Sequence, residues 1–225
     1  MNDKQLVALH AAKYVKNGML VGLGTGSTAN YFIDELARRQ NDEGLKVTTV
    51  ASSTVSAQRA QSLNLPIVAL EHISQIDLYV DGADEITPEM TLLKGRGSDL
   101  VKEKLLAKAA KQFIAVADES KLVSRIGQNF VIPIEVIPFA WQLAQRSLAD
   151  LGAQGELRPN AAKDGFWVTS HGSYVLDMRF DADFSAEVLN QIINNTPGVV
   201  EHGIFIGLTD AIFIAANGTV REQWA

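Results

Sequence analysis

Short apolar runs alternate with amphipathic stretches through the first half of the chain. Apolar residues recur at helical spacing in four segments, namely 3–16, the stretch after Gly26, 53–62 and 100–111. Short runs rich in apolar and β-branched residues predict strands at 19–23, 46–50, 66–70, 76–80 and 113–117. Because strands and helices alternate, the pattern predicts a parallel, doubly wound sheet.

The pattern changes after Asn129 to the order β-α-β-β-α-β, which is typical of a ferredoxin-like module. Its predicted elements are a strand at 131–136, a helix at 140–151, strands at 166–169 and 174–178, a helix at 186–194 and a strand at 199–206. A last apolar run, 211–215, is expected to return to the first sheet. The predicted fold class is α/β, a doubly wound, mostly parallel, Rossmann-like sheet with a smaller inserted α+β module.

These patterns predict two domains. Residues 1–130 and 207–225 are expected to form an α/β catalytic domain. Residues 131–206 are expected to form the inserted module, which would act as a lid or an oligomer interface.

Composition restricts the choice of partners. The net charge of −6 argues against nucleic acid, which recruits clustered lysine and arginine. The chain has no cysteine, so a disulfide or a thiol nucleophile is excluded. It has no secretory start, and no apolar run approaches the roughly 18 residues that span a bilayer. We therefore expect a cytoplasmic protein with no nucleic-acid or membrane partner.

A turn rich in glycine and hydroxyl groups joins the first predicted strand to the next helix, and it reads Gly24-Thr25-Gly26-Ser27-Thr28. Such a turn fits either a phosphate cradle or a tight connection with a Ser or Thr cap. A dinucleotide site is disfavoured, because Ser27 stands where the third glycine would be and no carboxylate follows the next strand. No Gly-Lys-Ser or Gly-Lys-Thr is present, so ATP is also disfavoured. The four histidines are scattered, and we expect neither a metal nor a cofactor.

Acidic and basic residues follow in an order that suits proton transfer. Asp81 and Asp84 come directly after a predicted strand, Lys94 follows them, and Glu103 lies on a predicted helix. Alone, each has a plain interpretation, since Asp and Gly form turns and charged residues cover helices. If the strands are parallel, the glycine turn and the carboxylates share one edge of the sheet. Together they indicate acid–base chemistry on a small phosphorylated molecule.

The sequence closely resembles the ribose-5-phosphate isomerase family of the A type. The matching motifs, in family order, are Gly24-Thr25-Gly26-Ser27-Thr28, Asp81-Gly82-Ala83-Asp84-Glu85, Lys94-Gly95, Glu103-Lys104, Ala117-Asp118-Glu119-Ser120-Lys121, Pro133-Ile134-Glu135-Val136-Ile137-Pro138 and Pro197-Gly198-Val199-Val200. The resemblance implies an aldose-ketose isomerase that interconverts D-ribose 5-phosphate and D-ribulose 5-phosphate through an enediolate, in the pentose phosphate pathway. It also implies a homodimer or a dimer of dimers that needs no cofactor or metal.

The resemblance also assigns residues to roles. Glu103 takes the position of the proton-shuttling base, Asp81 and Asp84 assist ring opening and proton movement, and Lys94 lies beside the reacting oxygens. The residues implied in substrate binding are Thr25, Gly26, Ser27, Thr28, Asp81, Gly82, Ala83, Asp84, Lys94, Gly95, Arg96, Gly97, Lys121 and Lys4.

One segment departs from the family pattern. The family carries a glycine run after Lys94, whereas this chain has Arg96 between Gly95 and Gly97. The arginine could disturb backbone donors aimed at the sugar, lie outward or pair with Asp99.

Two other classes of function share part of this pattern. A sugar-phosphate sensor would not need Glu103 and would carry a basic helix-turn-helix, which does not precede Lys4. An acyl-CoA transferase also uses a glutamate but generally needs a longer chain to hold CoA. The isomerase is therefore the preferred interpretation.

Overall fold

The computed structural model describes residues 2–97 and 99–225, which fold into two compact units. The first unit contains Met1–Ala83, Lys102–Lys121 and Leu208–Ala225, and the second contains Asp84–Val101 and Leu122–Gly207. The sequence assigned residues 84–101 to the α/β domain, whereas the structure groups them with the second unit. The predicted domain boundaries after residues 130 and 206 stay a prediction.

The described part of the chain contains the following elements. The helices are α1 (Asp3–Ala12), α2 (Ser27–Glu43), α3 (Thr54–Ser62), α4 (Leu100–Ala109), α5 (Trp141–Ala149) and α6 (Ala186–Asn194). The strands are β1 (Leu20–Leu23), β2 (Thr48–Ala51), β3 (Leu78–Gly82), β4 (Glu85–Ile86), β5 (Leu92–Leu93), β6 (Phe113–Asp118), β7 (Ile132–Val136), β8 (Gln154–Leu157), β9 (Tyr174–Arg179), β10 (Val199–His202), β11 (Ile204–Phe205), β12 (Ala211–Ala216) and β13 (Thr219–Trp224).

The first unit is built on a six-stranded sheet in the order β13-β12-β6-β3-β1-β2. The strands from β12 to β2 are parallel, and β13 pairs with β12 in the antiparallel direction at one edge. β6 is buried from Phe113 to Ala117, which explains its continuous apolar run. The mostly parallel, doubly wound sheet and the predicted return of the last apolar run are confirmed.

This topology determines where a site can form. α1 and α2 pack on the sheet through Val7, Phe32 and Leu36, all fully buried, so the apolar face of each helix is covered. Because β1, β3 and β6 are parallel neighbours, their carboxyl ends meet at one edge. Gly24 and Asp118 therefore lie at the same edge as the end of β3.

The second unit contains a four-stranded antiparallel sheet in the order β10-β7-β9-β8 and a small sheet in the order β11-β5-β4. Along the chain the larger sheet and its helices run β7-α5-β8-β9-α6-β10, which is the predicted ferredoxin-like order. Leu148 on α5 and Ile193 on α6 are buried in the core of this unit. The inserted α+β module is thus present.

Three of the predicted strands differ from those in the structure. Residues 66–70 contribute an isolated bridge and then enter a 3-10 turn. Residues 166–169 form no regular strand, although Phe166 and Val168 each make an isolated bridge. The edge strand of this sheet is β8, which sequence patterning missed because an exposed edge strand can be polar. The run 199–206 splits into β10 and β11 at Gly203, where a Cβ atom would lie 2.2 Å from the carbonyl oxygen of Lys94.

Candidate active site

The glycine turn lies tightly against the neighbouring strand β3. A Cβ atom on Gly24 would lie 2.1 Å from Oδ1 of Asp81 and 2.6 Å from its Cα, so only glycine fits there. Gly26 has a φ of 108°, a conformation that L side chains rarely adopt. Both glycines are therefore required by the path of the turn, which brings its main chain against a carboxylate.

The amino terminus of α2 presents hydrogen-bond donors at this edge of the sheet. The helix runs for 17 residues after Gly26, which has no side chain to cap it. The first N–H groups of a helix have no acceptor within the helix, and the helix dipole adds partial positive charge. Nζ of Lys4 donates a hydrogen bond to Oγ of Ser27 at 3.3 Å. A phosphate here would meet the N–H groups of Ser27 and Thr28 together with an ammonium group.

Thr25 holds the turn in place. Its N–H donates to Oδ1 of Asp81 at 2.9 Å, and its hydroxyl donates to Oγ of Ser53 at 2.8 Å and hydrogen-bonds Oγ of Ser52 at 2.8 Å. Oγ of Ser56 donates to the carbonyl of Gly24 at 2.6 Å. These serines are buried, so the hydroxyl groups of Ser56, in the first turn of α3, and of the two residues before that helix support the turn.

Asp81 is a fully buried residue within β3, not after it as predicted. Its Oδ1 accepts hydrogen bonds from the N–H groups of Thr25 and Gly82, at 2.9 and 2.7 Å. Its Oδ2 accepts from the hydroxyl of Tyr79 at 2.5 Å. Burial, followed by the negative charge of Asp81, raises the pKa of Tyr79 well above its usual value. Tyr79 therefore stays a neutral donor that orients the carboxylate.

Glu103 lies in the first turn of α4, and 4% of its surface is exposed. After burial and the charge of Asp81, the charge of Glu103 is the next cause of the raised pKa of Tyr79. Two carboxylates therefore act on one buried hydroxyl, which brings Asp81 and Glu103 into one electrostatic group.

Lys121 and Lys4 lie near Asp118, the last residue of β6. Burial raises the pKa of Asp118, but hydrogen bonds from Ser120 and the positive charges of Lys121 and Lys4 outweigh burial and lower it. A cavity of about 510 Å³ opens beside this group and is lined in part by Lys4 and Asp118. Since Lys4 also contacts Ser27, cationic groups collect beside the start of α2.

Asp84 and Lys94 belong to the small sheet of the second unit. The N–H of Asp84 donates to the carbonyl of Leu93, and the N–H of Lys94 donates to the carbonyl of Gly203, both at 2.8 Å. Glu85 pairs with Leu93 in antiparallel register, so Asp84 and Lys94 occupy opposing positions one step further along. Lys94 is 4% exposed, so its ammonium group is largely removed from water.

Arg96 lies beside an aromatic ring. Its guanidinium carbon is 4.0 Å from the ring centroid of Phe130, and its Nη1 is 4.0 Å from Oδ1 of Asp84. Oδ1 of Asp99, the partner that the sequence suggested, accepts a hydrogen bond from Ser170 at 2.8 Å. The side chain of Arg96 is half exposed, so water screens its ion pair with Asp84, and the stack on Phe130 is a second contact at the same distance.

The predicted site residues fall into two groups. The first unit holds Lys4, Thr25, Gly26, Ser27, Thr28, Asp81, Gly82, Ala83, Glu103 and Lys121, and the second holds Asp84, Lys94, Gly95, Arg96 and Gly97. Within the first unit, hydrogen bonds join the glycine turn to Asp81 and Asp81 to Tyr79, and the charge of Glu103 also acts on Tyr79. Within the second it joins Asp84, Lys94 and Arg96.

Several residues that shape the site were missed by the sequence analysis. Tyr79 could have been found, because it lies two positions before Asp81 and alternate residues of a strand face the same side. Ser52 and Ser53 follow β2 at the carboxyl edge, where ligand sites form, so their position was also informative. Arg158 and Phe130 gave no local signal.

Two absences concern residues 2–97 and 99–225, the part of the chain that the structure describes. No group of three or more His, Cys, Asp or Glu side chains among them could hold a metal ion. None of the helices formed by these residues combines the length and the apolar character needed to cross a membrane.

Known proteins resemble this chain over nearly its whole length. The family model for ribose 5-phosphate isomerase A (phosphoriboisomerase A) matches residues 48–219. Ribose-5-phosphate isomerase A of Thermosynechococcus vestitus is 42% identical over 212 residues, which cover 94% of this chain and 90% of that protein.

Solved structures agree with the sequence relatives. The structure of ribose 5-phosphate isomerase A from Methanocaldococcus jannaschii has a TM-score of 0.93 at 38% identity, covering 99% of this chain and 98% of that one. A D-ribose-5-phosphate isomerase in complex with phospho-erythronic acid has a TM-score of 0.95 at 35% identity, covering 100% of both chains. Sequence and fold lead to the same assignment, and the chain belongs to the ribose 5-phosphate isomerase A family of enzymes.

Proposed function

We propose that this enzyme interconverts D-ribose 5-phosphate and D-ribulose 5-phosphate, a step of the pentose phosphate pathway. The two sugars differ in the position of one carbon-bound proton and in which oxygen is the carbonyl. Removal of the C2 proton by a base gives an enediolate, and return of the proton at C1 gives the other sugar. The observation that carries the proposal is the buried Glu103, which shares the surroundings of Tyr79 with Asp81.

The phosphate end of the substrate is proposed to bind at the start of α2. The N–H groups of Ser27 and Thr28, the adjacent Gly26 and the ammonium groups of Lys4 and Lys121 supply donors and positive charge there. Binding energy from this non-reacting end orients the sugar for reaction.

Glu103 is proposed as the base that moves the proton between C2 and C1. Its burial matters, because water would otherwise compete for the carboxylate and screen its charge. Positioned acid–base catalysis of this kind typically contributes about 10²- to 10⁴-fold in rate. A glutamate can serve both steps, since the carboxyl group formed when it removes the C2 proton can return a proton at C1, and exchange of that carboxyl proton with solvent lets deuterium enter.

Asp81 and Asp84 are proposed to assist ring opening and proton movement between the sugar oxygens. Asp81 is held by donors from three residues, so its carboxylate has a defined orientation. Lys94 is proposed to stabilise the negative charge that develops on the oxygens of the enediolate. A buried ammonium group does this better than an exposed one, because less water screens its charge.

The proposal is tested with purified protein, ribose 5-phosphate and a chelator, without nucleotide. We expect formation of ribulose 5-phosphate and, in deuterium oxide, entry of deuterium at C1 or C2 through the enediolate. Binding of ribose 5-phosphate without conversion would instead indicate a sugar-phosphate sensor and overturn the proposal.

Phospho-erythronic acid provides a second test of the proposal. Phospho-erythronic acid is bound in a related D-ribose-5-phosphate isomerase, and we propose that it also binds this chain. It should compete with ribose 5-phosphate and raise the apparent KM without lowering the maximal rate.

We also propose that the enzyme is a cytoplasmic homodimer or a dimer of dimers. Light scattering on the purified protein measures the oligomer directly. A monomer at working concentration would contradict this part of the proposal.

A further inference from the structure

The loop Gly95–Gly97 is held from one side by a single arginine. Nη1 of Arg158 donates to the carbonyl oxygens of Gly95 and Arg96, at 3.3 and 3.1 Å. Arg158 lies 63 positions after Gly95 and 62 positions after Arg96 in the sequence. A contact of this kind fixes the orientation of two successive peptide groups at the point where the chain passes from the buried Gly95 to the exposed Arg96 and Gly97.

Arg158 is itself fixed by Asp177. Its Nε and Nη2 donate to the two carboxylate oxygens of Asp177 at 2.9 and 2.6 Å, which is a bidentate ion pair. Arg158 follows β8 and Asp177 lies in β9, so the pairing of these strands sets the pair in place. Side-chain exposure is 13% for Arg158 and 25% for Asp177, so the pair is less screened than a surface one.

The geometry of the peptide bond carries the effect to the other side of the loop. A trans peptide is planar, and its C=O and N–H point in opposite directions. Fixing the carbonyl of Gly95 therefore fixes the N–H of Arg96, and fixing the carbonyl of Arg96 fixes the N–H of Gly97. Both N–H groups must then point away from Arg158.

The side chain of Arg96 is anchored separately, on Phe130. The carboxylate of Glu85 is fully buried and accepts hydrogen bonds from the N–H groups of Gly127, Asn129 and Phe130, at 2.6, 2.6 and 2.9 Å. These bonds hold the turn that presents the Phe130 ring, on which the Arg96 guanidinium stacks. The side chain of Arg96 therefore has a partner outside its own loop.

We propose that Arg158, held by Asp177, is a positioning residue that aims the backbone N–H groups of Arg96 and Gly97 at the oxyanion of the enediolate. The inference rests on the proposed isomerase function and deepens it. The inference explains how Arg96 is accommodated where the family has glycine. The carbonyl of Arg96 accepts a hydrogen bond from Arg158, and its side chain stacks on Phe130. Fixed donors aimed at developing charge are the larger part of many enzymes' rate enhancement.

The experiment compares the steady-state kinetics of the full-length enzyme with those of Arg158→Ala, Arg158→Lys and Asp177→Asn. Arg179→Ala is the matched control, since Arg179 lines a cavity of about 420 Å³ together with Arg96 and Arg158 but contacts the carbonyl of Gly127, not the loop. Folding of each variant is checked by circular dichroism and thermal unfolding. Each variant is also assayed with added guanidinium, far below the concentrations that unfold proteins, and with urea as the uncharged control.

We expect Arg158→Ala and Arg158→Lys to lower kcat by about 10²-fold with little change in KM, because misaligned donors act mainly on the transition state. Lysine keeps the charge but cannot hold two carboxylate oxygens and two carbonyls at once. The kcat of Asp177→Asn should fall about tenfold, because Arg158 is then held less firmly. Guanidinium should restore part of the rate of Arg158→Ala, since Asp177 can still bind it, and urea should not.

The outcomes separate this inference from the proposed function. A wild-type enzyme that fails to convert ribose 5-phosphate would overturn the function. Folded Arg158 variants with wild-type kcat, or with losses confined to KM, would overturn the role of Arg158 alone. If Arg158→Ala does not fold, the kcat of Asp177→Asn becomes the test, and a wild-type kcat in that variant would contradict the inference.

Discussion

Two main-chain segments are proposed to bind the substrate, and they are held in different ways. The glycine turn is fixed by Asp81, a buried residue of the central sheet, and by hydroxyls beside α3. The loop Gly95–Gly97 is fixed by the side chain of Arg158, and Arg96 and Gly97 are exposed. The contacts that hold the glycine turn also stabilise the fold. The loop Gly95–Gly97 depends instead on one partly buried side chain, that of Arg158. Substitutions should therefore act on stability in one case and on rate in the other.

The sharpest way to break the first segment is Gly24→Ala. The new methyl group would lie 2.1 Å from a carboxylate oxygen of Asp81, so the turn or β3 must move. We expect a loss of about 3 kcal/mol in the free energy of unfolding. Gly82→Ala is the control, because its Cβ would meet the carbonyl of Val116 at an ordinary 3.9 Å. Urea denaturation measures both, and equal losses would contradict the steric account.

A smaller effect is expected from Tyr79→Phe. The ring stays stacked on Phe113, at a centroid distance of 4.8 Å, but the donor to Asp81 is removed. Loss of a buried hydrogen bond to a charged group should cost about 2 kcal/mol and lower kcat. Tyr14→Phe, whose hydroxyl donates to the partly exposed Glu222, should cost less. If the two variants lose the same stability, burial does not distinguish these hydrogen bonds.

The smallest effect should come from Ser53→Ala, paired with Ser185→Ala. Each serine caps a helix, accepting from the N–H of Ser56 or of Val188, so each loss should be about 1 kcal/mol. Ser53 also accepts from the hydroxyl of Thr25 in the glycine turn. Steady-state kinetics should therefore show a raised KM for Ser53→Ala and an unchanged KM for Ser185→Ala. A raised KM in both would contradict this distinction.

Much of the glycine turn could be predicted from the sequence, because the residues that identify it lie close together in the chain. The residues of the turn are contiguous, and the carboxylates directly follow or end an apolar run. The sequence did not show which hydrogen bonds the polar atoms of the turn make. Thr25 donates its N–H and its hydroxyl to protein atoms, because Asp81 and Ser53 lie beneath it.

The support of the second segment could not be predicted, because it depends on strand register. β8 is a polar edge strand that the pattern misses, and the pairing of β8 with β9 is what places Arg158 beside Asp177. The stack of Arg96 on Phe130 likewise depends on Glu85, which the family motif contains but to which no role was assigned. Periodicity identifies elements, but it does not identify which distant side chains they bring together.

The central claim is that the buried carboxylate of Glu103 is the base, and the most direct measurement is the turnover of Glu103→Gln beside Glu187→Gln. Both glutamates lie in the first turn of a helix, but Glu187 is exposed. The amide keeps the size of Glu103 but cannot take up the proton, so kcat for ribose 5-phosphate should fall by about 10²- to 10⁴-fold. Glu187→Gln should keep the wild-type rate. A folded Glu103→Gln enzyme that turns over at the wild-type rate would contradict the account.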